Sequence, residues 1–339
     1  MSLDDRKKII LSAVIEAYIR TGEPVGSKVL SSLDCLHVSS ATIRNEMSEL
    51  EKMGYLSKPH TSAGRIPSNE GYRYYVQTSL NPYKLTQKER ELLSALSNSC
   101  GGLFQTVNTA ASILADFLGF TVFAVAPTCS GGVYTFEVLP VGKHSCAVLA
   151  VGSGGSVKTA FARTEEAIST DQARGFATVL NKTLSSFPIE QIGNVRLMLL
   201  ASETARACPV CSCLLSAVDI LVEQLKSYEL TVCGGENLLS YPEFSSIEVA
   251  KEYIAILSRQ EQILDELLSG SQAGQLTIRI GDENRVFRNP YASMMSMISD
   301  SKIPVVLGVM GPTRMNYAKT AAGFLYMMDR LKNLIDEEY

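Results

Sequence analysis

Arg44 and Asn45 are the adjacent pair in this chain with the most readable chemistry. An Arg guanidinium offers a fork of donors that fits guanine O6 and N7, and an Asn amide fits adenine N6 and N7. Both lie in the stretch SSATIRNEMSELEKMG, residues 39–54. At 100° per residue, Ile43, Met47, Leu50 and Gly54 gather on one edge of a helix, a narrow inward stripe. Ala41, Arg44, Asn45, Ser48 and Lys52 occupy the other face. Ser39 or Ser40 is suited to cap the helix start, and Thr42 brings a methyl group that could meet a thymine methyl. An ordinary solvated amphipathic helix shares this pattern, so the surrounding elements must decide.

Upstream, residues 5–20 read as a helix with Ile10, Val14, Ala17 and Tyr18 inward, ended by Gly22 and Pro24. A second helix fits 27–33 and exposes Lys28. Downstream, YLSKPHTSAGRIPS (55–68) reads as two short extended pieces around an Ala63-Gly64 turn, carrying Lys58, His60 and Arg65. Helix, helix, recognition helix and basic hairpin is the order of a winged helix-turn-helix. In that arrangement Lys58, His60 and Arg65 would touch phosphates and set position without reading bases.

Charge limits the binding mode. Residues 1–80 hold ten Lys and Arg against nine Asp and Glu, while the whole chain carries a net charge of −4. Non-specific affinity comes from phosphate neutralisation, so a site-specific dimer is favoured over a general DNA coater. Base readout by two copies on an inverted repeat remains.

The 339 residues leave room for two or three domains, and 46% apolar with 19% charged residues can bury a large core. The start, MSLDD, has no signal-peptide pattern, and the apolar run near 118–127 is too short for a bilayer. The expectation is a cytoplasmic protein without membrane association, its eight Cys free in a reducing compartment. Pro82 and the residues to 86 are the best linker. A helical zone follows to about 118, broken at Gly101-Gly102. Strands are expected at 121–126, 134–140, 146–151, 157–163, 195–201, 276–280 and 305–310. Helices are expected at 170–185, 213–227, 247–268 and 314–335. Hairpin-spaced strands mixed with helices imply an α+β regulatory part rather than a doubly wound sheet.

Catalytic chemistry is weakly supported. The three His (His37, His60, His144) are far apart in sequence, and no HExxH, nucleophile elbow or phosphate loop occurs. The expectation is no enzyme, no cofactor and no metal. Cys208-Pro-Val-Cys211-Ser-Cys213 is half of a zinc knuckle without its second CxxC, so ordinary thiols are favoured over a metal or redox switch. The run 293–298 and the pair Met327-Met328 read as core. Gly311-Pro-Thr-Arg314 reads as a strand-to-helix corner with Arg314 and Tyr317 exposed, Arg314 holding a carboxylate or backbone carbonyls.

Taken together, TGEPVGSKVL (21–30), SSATIRNEM (39–47), PHTSAGRIPSNEGYRYYV (59–76), GGENLLSYPEF (234–244), IGDEN (280–284) and GVMGPTRMNY (308–317) resemble the HrcA family of heat-inducible transcription repressors. The resemblance implies an α+β multidomain fold. An N-terminal winged helix-turn-helix would span 1–80. A GAF-like domain would span 81–150 and 236–339, interrupted by an inserted dimerising domain at 151–235. It also implies a homodimer on an inverted-repeat operator ahead of chaperone operons, with the chaperonin as a partner that promotes the active state. In that frame Lys28, Ser39, Ser40, Thr42, Arg44, Asn45, Ser48, Lys58, His60 and Arg65 are the expected DNA-binding residues. The Cys208–Cys213 run lies outside the matching strings. It keeps open an alternative, a winged-helix regulator sensing a small molecule, metal or redox state.

Overall fold

The computed structural model describes residues 3–32, 38–59, 64–96, 102–129, 131–152, 156–185, 187–269, 272–285 and 290–338. His60, expected in the hairpin, lies outside them. The chain begins with α1 (Asp5–Thr21), α2 (Ser27–Ser31) and α3 (Ser40–Lys52), then β1 (Leu56–Ser57), β2 (Ile66–Pro67) and α4 (Asn69–Thr78). The Asp4 carboxylate accepts from the Lys7 amide at the head of α1, and Gly22 closes it at φ 71° by donating to the Tyr18 carbonyl. Only a residue free to enter the left-handed region closes a helix this way at no steric cost. In α3 the expected stripe of Ile43, Met47 and Leu50 is buried, while Gly54 lies past the helix end and exposed, at φ 86°. Strands β1 and β2 pair antiparallel, Leu56 opposite Pro67.

Irregular chain leads from Ser79 to α5 (Gln87–Leu93), α6 (Leu103–Leu118) and β3 (Thr121–Pro127). The chain then builds a separate unit: β4 (Val133–Gly142), β5 (Ser145–Gly152), β6 (Val157–Arg163), α7 (Thr170–Leu184), α8 (Asn194–Ala207) and α9 (Leu215–Lys226). It returns through β7 (Tyr228–Cys233), α10 (Ile247–Leu257), α11 (Gln260–Leu268), β8 (Thr277–Ile280), β9 (Ala292–Ile298), β10 (Val306–Pro312) and α12 (Tyr317–Glu338). Five strands form one antiparallel sheet in the order β7-β3-β10-β9-β8. α6 packs on β3 and α12 on α6, while α11 packs on β9 and β10. Strand β10 is buried along its whole length, which suits its near-continuous apolar sequence.

The second unit is a three-stranded antiparallel meander, β4-β5-β6, covered on one face by α7 and α9. Its core, with Phe136, Val148, Phe176, Leu180 and Leu221, is a cluster separate from the main one. The chain leaves and re-enters at one neck. Pro127 pairs with Tyr228, the Thr128 amide donates to the Ser227 carbonyl at 2.9 Å, and their hydroxyls meet at 3.1 Å. The Lys158–Glu229 ion pair braces it. The two cores therefore divide at 127–128 and 227–228, not at 150 and 235, because β4 and β5 bury their apolar side with α7 and α9.

Other expectations change too. Residues 195–201 form part of helix α8, not a strand, and Val195, Met198 and Leu199 on it are 82%, 73% and 51% exposed. The Met-rich run is buried as expected but is strand β9, and 228–233 adds a strand the pattern did not give. The expected helix 247–268 is two helices, α10 and α11. Tyr317 is fully buried rather than exposed. Among the described residues no helix is long and apolar enough to cross a membrane.

The N-terminal helices do not hang free. Their buried residues and those of the five-stranded sheet belong to one continuous apolar cluster. Tyr72 of α4 stacks at a tilt on Tyr317, ring centroids 5.9 Å apart. Tyr317 shares a hydrogen bond with the Ser293 hydroxyl and donates to the Thr313 carbonyl. Arg73 donates to Glu283 and to the Ile278 carbonyl at 2.7 Å. Arg314 does hold a carboxylate, Glu243, lies 5.5 Å from the Tyr241 ring, and brings its guanidinium beside Gly22 at the end of α1. Arg314→Leu leaves a mostly buried Glu243 without its partner and should cost about 1–3 kcal/mol of stability. Chemical denaturation checks this, and a change within about 0.5 kcal/mol, the size of an ordinary surface substitution, would contradict it.

Candidate nucleic-acid interface

Helix α3 is presented by two neighbours. The Ser39 hydroxyl accepts from the Thr42 amide at 3.2 Å and meets the Thr42 hydroxyl at 2.9 Å. The Ser40 hydroxyl sits 3.0 Å from that of Ser27, tying the start of α3 to α2. Ser48 donates back to the Arg44 carbonyl. Four of the expected hydroxyls, Ser39, Ser40, Thr42 and Ser48, thus spend bonding capacity on shaping the helix start and face. Arg44 and Asn45 are exposed and make no side-chain hydrogen bond or ion pair among the described residues. Lys28 and Lys58 are exposed and equally uncommitted there. The second turn of α3 therefore presents a guanidinium and an amide with their donors free, as base-edge contact requires.

Two of the three acidic residues of α3, Glu46 and Glu49, are held by α1. Lys7 lies 2.9 Å from both Glu46 and Glu49 and 3.0 Å from Asp4, and Arg6 adds a contact to Glu46. Hydrogen bonds donated by its ammonium to Glu49, then Glu46 and Asp4, raise the Lys7 pKa well above its ordinary value. The cluster fixes α3 across α1 and offsets two carboxylates that would otherwise repel a phosphate backbone. Sequence reasoning passed over Lys7, because a lysine in the first turn of a capped helix gives no local sign of a partner forty residues away.

Arg65 departs from its expected place. Its guanidinium pairs with Glu51 at 2.7 Å and is only 16% exposed. Its backbone exchanges two 2.9 Å hydrogen bonds with Val25. At Gly64 a Cβ would stand 2.5 Å from the Val25 carbonyl group, so the close approach of these two chains requires glycine. Arg65 thus anchors the base of the hairpin to α3 and to the turn before α2. Arg65→Ala should weaken DNA binding on every sequence without altering its salt dependence, because no counterion-releasing contact is lost. Anisotropy titrations at several salt concentrations check this, and a slope reduced by about one would put the guanidinium on a phosphate.

Other sites offer less. Among the described residues no group of three His, Cys, Asp or Glu could hold a metal ion. A cavity of about 270 Å³ beside β9 and α12 has its Asp300 and Lys332 paired with each other at 2.8 Å. No strained turn or activated nucleophile accompanies it.

The profile of the HrcA protein C-terminal domain matches residues 105–321. The heat-inducible transcription repressor HrcA of Moorella thermoacetica is 33% identical over 348 residues, covering 100% of both chains. That of Acetivibrio thermocellus is 32% identical, covering 99% of this chain and 97% of its own. The chain belongs to the HrcA family. An HrcA protein is a transcription repressor of the heat response, not an enzyme, and repression implies DNA as a partner. The HrcA fold here is similar over 99% of both chains to a crystal structure described as a hypothetical protein at 2.2 Å resolution, with a TM-score of 0.66 and 22% identity.

Proposed function

We propose that this chain represses chaperone operons by binding an inverted-repeat operator as a homodimer, with α3 in the major groove and the chaperonin favouring the binding-competent state. The observation that carries the readout is the exposed, uncommitted Arg44–Asn45 pair at the capped start of α3. Lys28 and Lys58 supply phosphate contacts, and Ser39, Ser40, Thr42 and Ser48 hold the helix start in shape for the groove.

Dimerisation is assigned to the unit between 128 and 227. On the face of its sheet away from α7 and α9, exposed apolar side chains stand among the polar Glu137, Thr159 and Arg163. Leu139, Ala147 and Phe161 stand in one cross-strand row, with Phe161 70% exposed and Leu139 49% exposed. Val157 and Tyr134 add 57% and 72% exposed surface, and Val195, Met198 and Leu199 on α8 extend the apolar area of the unit. A patch of this kind marks an interaction surface, and two copies can satisfy it symmetrically.

The continuous core between the N-terminal helices and the sheet supplies the route for regulation. A partner that binds the sheet unit can change the seating of α1 and α4 through Arg314–Glu243, Arg73–Glu283 and Tyr72–Tyr317. It shifts the equilibrium only by its differential affinity for the two states. Operator titrations with and without purified chaperonin test this. Tighter binding with chaperonin, lost when an unfolded protein competes for it, is the outcome this reading requires. Unchanged binding at saturating chaperonin would remove the chaperonin from the mechanism and leave the DNA-binding reading standing.

A further inference from the structure

The sequence Cys-Pro-Val-Cys at 208–211 is placed in a geometry that ordinary packing does not need. Helix α8 ends at Cys208, whose amide donates to the Thr204 carbonyl, and Pro209 opens a 3-10 turn over Pro209–Leu214. A 3-10 helix has three residues per turn, so side chains three apart stand one above the other. Cys208 and Cys211 are three apart, and their sulfurs are 2.8 Å from each other. Both thiols lie over the Gln172 carbonyl of α7, at 3.9 and 3.7 Å.

That separation discriminates between two chemistries. Two thiolates on one tetrahedral zinc, each at about 2.3 Å from the metal, stand about 3.8 Å apart. The 2.8 Å separation lies closer to a disulfide than to a zinc pair, and no third ligand completes a site among the described residues. A disulfide needs about 2.05 Å, so closure requires the sulfurs to approach by less than one ångström. Their exposures differ in the useful sense. Cys208 is half-buried and reachable from solvent, whereas Cys211 is fully buried behind it.

We propose that Cys208 and Cys211 form a reversible intrachain disulfide on exposure to a hydroperoxide, a redox site in the 128–227 unit separate from the DNA-binding face. The Cys208 thiolate attacks the terminal peroxide oxygen, the O–O bond breaks, and the alkoxide (hydroxide when the oxidant is hydrogen peroxide) leaves with the electron pair. This gives a sulfenic acid on Cys208. The Cys211 sulfur then attacks the Cys208 sulfur, its thiol proton leaves with the sulfenic hydroxyl as water, and the S–S bond forms. The peroxide is reduced by two electrons and the two thiols are oxidised by two. Burial, with the neighbouring Cys208 thiol, pushes the Cys211 thiol up and keeps it protonated, which makes Cys208 the attacking group and Cys211 the resolving one. Cys213, exposed and donating to the Val210 carbonyl, is the competing target.

The test uses the full-length protein, reduced, treated with hydrogen peroxide, alkylated and digested. The peptide spanning 207–226 is expected to lose about 2 Da and to take up one alkyl group, on Cys213, instead of three, with both changes reversed by dithiothreitol. In Cys211→Ser the intermediate should persist as a dimedone-reactive sulfenic acid on Cys208, and in Cys208→Ser both the mass loss and the dimedone adduct at this site should vanish. A disulfide retained in Cys208→Ser, oxidation that begins at Cys213, or chains cross-linked through Cys213 with Cys208 and Cys211 still alkylated would each overturn the proposal. None of these readouts involves DNA, so the result is independent of the operator-binding reading.

Discussion

Phe161→Glu converts the protein to a monomer and removes most of its operator affinity. Phe161 is 70% exposed in the single chain, so the substitution leaves the fold of the unit intact. A surface change of this kind alters monomer stability by about 0.5 kcal/mol or less. In a symmetric interface the same residue appears twice, and each copy would bury an unpaired carboxylate against apolar surface. An aromatic anchor at the centre of an interface is worth about 2 kcal/mol or more, and burying an uncompensated charge costs more again. The dimer dissociation constant should therefore rise by about two to four orders of magnitude, at 1.4 kcal/mol per tenfold. Sedimentation velocity reads the mass, and titration on the inverted repeat reads the affinity. A dimer of unchanged stability would move the interface away from the outer face of β4, β5 and β6.

The second large effect falls on Arg44. Truncation to Ala removes a guanidinium that has no other partner among the described residues, so no internal ion pair is lost with it. Each half-site loses its contact. One bidentate pair discriminates by about 1–3 kcal/mol, and the dimer carries two. Operator affinity should fall by more than tenfold while affinity for random DNA changes little, and specificity should relax at one base pair in each half-site. Equal loss on operator and random DNA would make Arg44 a phosphate contact. Asn45→Ala run in parallel reports the neighbouring position.

The head of the molecule was legible because its signals are local. Ser39 caps α3, Ile43, Met47 and Leu50 repeat at helical spacing, and Gly22 and Gly54 stop their helices in left-handed turns. What escaped was set by distant partners. Arg65 carries the charge of a phosphate contact, but Glu51 and the Val25 backbone claim it in the fold. Residues 195–201 hold a short apolar run that reads equally as strand or helix. They are helical because the segment that follows, ASETARA, extends it to Ala207; Leu200 is buried and Leu197 half-buried, while Val195, Met198 and Leu199 are left open. Strand β9 is built from Met and Ser, which have little strand preference, and is fixed by β10 on one side and β8 on the other. The neck at Thr128 and Ser227 joins positions a hundred residues apart, which no local pattern marks. The strings that carry the family resemblance include Gly22, Gly64, Glu243 and Arg314, so they trace the seating of the head on the sheet as well as helix α3.

The decisive experiment compares the wild-type protein on three duplexes of equal length: the full inverted repeat, a single half-site and a scrambled sequence. Because the N-terminal part carries almost no net positive charge, base readout by two α3 helices must supply the affinity. The full repeat should bind at least about a thousandfold more tightly than the scrambled duplex, the lower end of specific recognition, with the half-site falling between them. Comparable binding to all three would mean that Arg44 and Asn45 do not read bases.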